Sequence, residues 1–267
     1  MGSYKDIGVD LDGHVAVVEI RRPPHNFFDH ELIGEIAAAF DELDANEACR
    51  AIVLASQGKS FCAGADFGKG DDGDDGGDDG GDPMYRLRDP GQLYREAARL
   101  FSAKTPIVGA IHGAAVGGGL GLALVPDFRV TCPEARFSAN FTKLGFHPGF
   151  GLTVTLPEVI GQSKAALMFY TSRRFKGEEA FAMGLADVLV PQDQVRAAAI
   201  ELATEIATCS PLGVRETRAT MRQGLAERVV AATEHELDIQ QQLRATEDFR
   251  EGVKAMSERR APNFVGR

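Results

Sequence analysis

The stretch that most restricts the fold runs from Pro106 to Leu124. A short apolar run, PIVGAI, is followed directly by HGAAVGGGLGLAL. Six residues rich in β-branched and small side chains, bounded by Thr-Pro and Gly, read as a buried strand. The glycines after them permit close backbone approach, and Gly119 to Val125 reads as a helix. The same order recurs. Val15 to Ile20 (VAVVEI) is a strand, ended at Arg21-Arg22-Pro23-Pro24 because proline lacks a ladder donor. Asp29 is placed to cap a helix from Glu31 to Leu43, with Leu32, Ile36, Ala39, Phe40 and Leu43 at helical spacing. Ala51–Ala55 and Phe128–Thr131 are two more strands. Strands alternating with helices predict an α/β architecture. From Pro191 the pattern is helical: Gln194–Thr208, a helix opened by Pro211 with Val214–Met221, then Leu225–Leu243 and Thr246–Arg259. The expected division is a core over residues 1–205 and a helical region over 206–267.

The 267 residues suffice for a large core. A net charge of −10 argues against nucleic acid and anionic membrane surfaces as partners, since such binding draws on Lys and Arg. Local basic residues can still receive a small anion. No apolar run reaches membrane-spanning length. Cys49, Cys62, Cys132 and Cys209 lack metal-ligand spacing and read as reduced thiols of a cytoplasmic protein. Gly70 to Asp82 holds seven Asp and no basic residue. Its composition predicts a disordered loop. The alternative, a Ca²⁺ loop, lacks a fixed ligand register and a closing Glu.

Two segments carry chemistry. Ser60-Phe61-Cys62-Ala63-Gly64-Ala65-Asp66 follows one strand, and Ile111 to Gly121 follows another. Both put small residues where a ligand can approach the backbone, and the second opens a helix whose first N–H groups have no internal partner. Two such N–H groups aimed at one point make an oxyanion hole, with each donor worth about 3–4 kcal/mol in a transition state. A phosphate loop is not indicated, because neither Lys-Ser/Thr nor G-x-G-x-x-G spacing is present.

In this order the motifs resemble the crotonase superfamily, the enoyl-CoA hydratase/isomerase family. The likeness takes in the Arg22-Pro23 turn, the F-x-A-G-A-D segment, Pro106 to Leu124 and Asp127-Phe128-Arg129-Val130. It continues through Leu144-Gly145, Pro148-Gly149, Gly184-Leu185-Ala186-Asp187 with Val190, and Arg259-Arg260-Ala261-Pro262-Asn263-Phe264. The resemblance implies a spiral of ββα turns with a C-terminal helical trimerisation region, assembled as a homotrimer or hexamer. It implies an acyl-CoA substrate, with coenzyme A entering as part of that substrate and no permanently bound cofactor or metal. It makes Ala65 and Gly118 the oxyanion donors. It places Arg22, His25, Ala63 and Asp66 at the adenosine end of coenzyme A, and Arg259 near the phosphates of a neighbouring subunit's ligand.

The chain departs from the family where hydratases carry two Glu residues. Those positions are Gly121 and Phe141, neither of which transfers protons. The position isomerases use is near Phe150, and the dehalogenase nucleophile falls on Gly149. His147 is the nearest titratable candidate for acid–base work; the alternative is that it shapes its loop. Glu234 and Glu236, beside His235, are open to recruitment from a C-terminal helix or form a solvated face. His112, Asp127 and Glu158 read as structural or surface residues, and nothing basic adjoins Cys62. Phe137, Phe141, Phe146 and Phe150 surround the expected site, and two or more of them facing it would indicate a hydrophobic or aromatic acyl group. Three readings stand: an acyl-CoA enzyme other than a standard hydratase, an inactive coenzyme A-binding homologue, and a diketone hydrolase that uses no coenzyme A.

Overall fold

A computed structural model describes residues 2–65 and 90–267. Asp66 and the Asp/Gly-rich stretch 70–82 lie outside them. The chain opens with a hairpin of β1 (Ile7–Asp12) and β2 (Val15–Ile20), paired antiparallel from Ile7↔Ile20 to Asp12↔Val15. Helix α1 (His30–Asp44) begins where Asp29 accepts a hydrogen bond from Leu32 N–H at 2.9 Å. It buries Leu32, Ile33, Ile36, Phe40 and Leu43 on one face.

The next elements repeat a pattern. β3 (Ala51–Ser56) leads to β4 (Ser60–Cys62), then α2 (Pro90–Leu100). β5 (Ile107–Ile111) leads to β6 (Ala114–Val116), then α3 (Gly118–Ala123). β7 (Phe128–Thr131) leads to β8 (Arg136–Ser138), then α4 (Leu152–Ile160) and α5 (Gln162–Thr171). β9 (Phe175–Lys176), α6 (Gly177–Met183) and β10 (Val188–Leu189) finish the series. The first strands of the pairs join one sheet, in order β1-β2-β3-β5-β7-β10, and the second strands join another, β4-β6-β8-β9. Each ββα turn therefore adds one parallel strand to each sheet, which is a spiral. β3 and β5 are buried at every residue, as strands covered on both faces must be.

Helix α7 (Val195–Thr208) packs across β3, β5 and β7. The expected boundary after residue 205 falls inside it, and its packing keeps it with the core. α8 (Pro211–Met221) is tied back to β7: Asp127 accepts from Arg218 Nε at 2.8 Å and from the neighbouring Arg222 at 2.8 Å. It also accepts from Ile107 N–H at 2.8 Å, so its role is structural as expected. α9 (Leu225–Arg244) packs on α2 and α4, and α10 (Glu247–Ser257) packs on the 3-10 turn Asn140–Leu144. Among the described residues, no helix is long and apolar enough to cross a membrane.

Candidate active site

The parallel pairing of β4 with β6 brings the two small-residue segments together. Ser60 and Cys62 lie opposite Ala114 and Ala115, so the chain leaving each strand emerges at the same edge. The fit there is backbone on backbone. A Cβ on Gly119 would overlap the Cys62 carbonyl, and one on Gly64 would lie 2.8 Å from Val116 O and 4.0 Å from Gly118 N. Gly118 is the first residue of α3, so its N–H has no acceptor within that helix. Among the described residues, no backbone hydrogen bond takes up the Ala65 or Gly118 N–H. The surrounding turns are pinned: Phe28 N–H donates to Gly64 O at 3.0 Å, Ala63 N–H to His25 O at 3.0 Å, and Gly117 N–H to Ser138 O at 2.9 Å.

The opposite side of the glycine turn is aromatic. A Cβ on Gly118 would overlap the Phe28 ring, and one on Gly121 would come within 2.7 Å of Phe150. Phe28 and Phe150 meet edge to face at 5.6 Å. Phe141 approaches Gly117, with its Cζ 3.8 Å from a Cβ built there. Of the four phenylalanines expected around the site, Phe141 and Phe150 face the turn. Phe146 instead stacks on Phe249 of α10 at 5.1 Å, and Phe137 is wholly buried in β8. No sequence pattern marks Phe28, which follows the Arg22–Asn26 turn with no periodic residues around it. Nor does one mark Asn140, whose Oδ1 is 3.1 Å from a Cβ built on Gly117.

His147 is half-buried. Its Nδ1 lies 2.8 Å from Pro148 O, and its ring meets His235 of α9 edge-on at 6.3 Å. Glu234 is exposed, but Glu236 is fully buried and does not belong to a solvated face. It accepts from Gly151 N–H at 2.8 Å, Thr153 N–H at 3.0 Å and Thr153 Oγ1 at 2.6 Å, capping α4. Burial raises its pKa, and the Thr153 and Gly151 donors act against that shift. Beside it Tyr94 of α2 donates to Gln240 Oε1 at 2.6 Å, and Gln240 Nε2 donates to His147 O at 2.9 Å. Burial foremost, then the Glu236 charge, pushes the Tyr94 phenol well above its usual range.

The remaining expected residues are dispersed. Arg22 donates to Asp6 at 2.6 Å and to Asp29 at 2.7 Å, which ties β1 to the start of α1. His25 is exposed beside Phe27, and Ala63 is half-buried at the end of β4. Arg259 is exposed with φ +54 and lines a cavity of about 560 Å³ together with Lys143, Arg174, Asn140 and Val116. No carboxylate is among the described residues that line it. Burial lifts the Cys62 thiol to about 12, which suits a packing residue and not a nucleophile. His112 holds Gly58 O at 3.0 Å, and Glu158 pairs with Arg228 at 2.7 Å on the surface. Among the described residues no group of three or more His, Cys, Asp or Glu is placed to hold a metal.

Comparison with known proteins places the chain beside enoyl-CoA hydratases and isomerases. Residues 10–267 match the family model described as enoyl-CoA hydratase/isomerase. The crotonyl-CoA hydratase of Syntrophomonas wolfei subsp. wolfei is 30% identical, over 99% of this chain and 100% of its own. The crystal structure of an enoyl-CoA hydratase/isomerase from Pseudoalteromonas atlantica T6c superposes with a TM-score of 0.83 at 29% identity, covering 98% of this chain and 100% of that one. An enoyl-CoA hydratase from Bacillus anthracis superposes at 0.73 with 28% identity, covering 98% and 100%.

Proposed function

The chain belongs to the enoyl-CoA hydratase/isomerase family, and from that premise we propose that it binds an acyl-coenzyme A thioester with the carbonyl oxygen between the N–H groups of Ala65 and Gly118. One observation carries the reading: β4 and β6 bring these two donors to the same edge, with Gly118 N 4.0 Å from the Cβ position of Gly64. The donors stabilise negative charge that develops on the thioester oxygen, as in an enolate or a tetrahedral intermediate. Lys143, Arg174 and Arg259 line a cavity of about 560 Å³ that also touches Val116, and cations there suit coenzyme A phosphates, those of a neighbouring subunit's ligand in the case of Arg259. Arg22, His25, Ala63 and Asp66 are assigned to its adenosine end. The working assembly is a homotrimer or hexamer, which sedimentation of the purified protein tests directly, and its place is the cytoplasm.

The reaction is other than standard hydration. Gly121 and Phe141 stand where hydratases carry the two Glu residues, and Glu236 spends its oxygens on Gly151 and Thr153. His147 is the acid–base group in this reading. Donation from Nδ1 to Pro148 O corresponds to the tautomer in which Nε2 is basic. Steady-state assay over a panel of acyl-CoA thioesters tests the whole proposal. His147→Ala is expected to lower kcat by about 10²–10⁴-fold on the best substrate; an unchanged kcat removes His147 from the mechanism. Tight coenzyme A binding without turnover of any thioester would favour the inactive homologue, which the loss of both Glu residues motivates. A failure of coenzyme A to bind in calorimetry would favour the diketone hydrolase.

A further inference from the structure

Phe150 combines two properties that seldom coincide in one bulky residue. It is wholly buried, at 1% exposure, and its backbone is left-handed, with φ +64. Such a conformation persists only where the surroundings over-determine it, and it concentrates at functional sites. The surroundings here are the side chains of α9 and α2. Before Phe150, Gln240 holds the His147 carbonyl at 2.9 Å and is itself held by Tyr94. After it, Glu236 holds Gly151 N–H at 2.8 Å and Thr153 at 2.6 and 3.0 Å. Gly149 completes the clamp, because a Cβ there would overlap the Tyr94 hydroxyl. The loop is therefore anchored on both sides of the residue whose ring it presents.

That ring lies against Gly121, so closely that one added methyl would sit 2.7 Å from it. Its other neighbour is Phe28, whose ring covers Gly118. With Phe141 beside Gly117, three aromatic rings occupy the space around residues 117–121. Close-packed interiors make no room without strain.

We propose that Phe150, backed by Phe28, sets the size of the acyl group and restricts the site to short apolar acyl chains. Glu236 is a positioning residue for that wall, acting through the loop and not on the substrate. The assignment rests on the acyl-CoA reading above and narrows it to a substrate class. An acyl chain extending from a carbonyl at Gly118 meets the Phe28 and Phe150 rings; α9 holds the loop that carries Phe150, and Phe28 is held by its own N–H on Gly64 O.

The test is calorimetric binding of free coenzyme A and of saturated acyl-CoA thioesters from acetyl to dodecanoyl. The proteins compared are the full-length wild type, Phe150→Gly, Phe150→Leu and Glu236→Gln, each checked for folding by circular dichroism. Phe150→Gly removes the ring at a backbone position that glycine adopts freely, and Phe150→Leu guards against a variant that fails to fold. The wild type is expected to bind butanoyl-CoA at least tenfold more tightly than dodecanoyl-CoA. Phe150→Gly is expected to gain tenfold or more for dodecanoyl-CoA, since each methylene newly buried is worth roughly fourfold. Free coenzyme A affinity stays within twofold throughout. Phe150→Leu and Glu236→Gln shift the profile in the same direction by less, which a purely structural Glu236 would not do. A chain-length profile that is flat in the wild type, or parallel in wild type and variants, overturns the assignment while leaving the acyl-CoA reading intact. Folded wild type that binds neither coenzyme A nor any thioester overturns that reading and this assignment with it.

Discussion

The N-terminus of α3 stands between two walls made by different means. On the β4–β6 side the contacts are backbone to backbone: Gly119 against the Cys62 carbonyl, Gly64 against Val116 O, and Gly117 N–H on Ser138 O. On the Phe150 side the wall is a loop, and the groups that hold it are side chains from α2 and α9: Tyr94, Gln240 and Glu236. A backbone wall depends on where glycine is present, and changes elsewhere in the chain scarcely touch it. A side-chain wall can be retuned one residue at a time. Under the proposed reading, the first kind holds the carbonyl and the second selects the acyl group.

The sharpest way to break the contrast is Gly119→Ala. The added methyl meets the Cys62 carbonyl, which has no rotamer to swing. Urea denaturation is expected to show a loss of about 3 kcal/mol or more; a loss below 1 kcal/mol would mean that the strand edges can part and the wall is not rigid. Glu236→Ala comes next. It leaves the buried Gly151 N–H and the half-buried Thr153 N–H without an acceptor, at a cost of about 2–3 kcal/mol.

Glu236→Gln sharpens the comparison through pH. The folded-state pKa of Glu236 is raised above 4.5 by burial. Its contribution is therefore complete below the unfolded value and is lost as pH rises through the folded one. The melting temperature of the wild type relative to that of Glu236→Gln is expected to fall as pH is raised from 4.5, and a relative rise would contradict the burial argument. Tyr94→Phe removes the donor to Gln240 alone, for about 1 kcal/mol. His235→Ala, on the exposed side of α9, is expected to change stability by less than about 0.5 kcal/mol.

What the sequence made legible divides along the same line. The glycine turn is a local signal, so the strand before it and the helix after it fall within two residues of their expected ends, as does the Asp29 cap, although Ala114–Val116, expected as turn, is β6. The two-sheet spiral was not legible from periodicity. β4, β6 and β8 have three residues each, too short to show a period, and the spiral was expected only from the family resemblance. The anchors of the Phe150 loop are hard to read for a physical reason: the sequence leaves Glu236 between recruitment and a solvated face and does not mark Tyr94 or Gln240. Leu225, Val229, Thr233, Glu236 and Gln240 form the buried stripe of α9 at intervals of four, four, three and four, but three of the five are polar. A hydrophobicity pattern assigns such residues to water. They are inside because backbone donors and a carbonyl of the Phe150 loop, which is distant in sequence, wait there for partners.

The 85 residues between Gly151 and Glu236 also set a timetable. A ribosome adding about 5–20 residues per second takes roughly 4–17 s to cover that interval. Both sheets and the glycine turn can be in place before α9 exists, whereas the Phe150 loop must wait for it. During synthesis the contacts on the β4–β6 side can therefore form first, and the side chains that hold the Phe150 loop arrive last. A nascent chain halted before Glu236 would hold Gly117 N–H on Ser138 O while Gly151 N–H still lacks its acceptor.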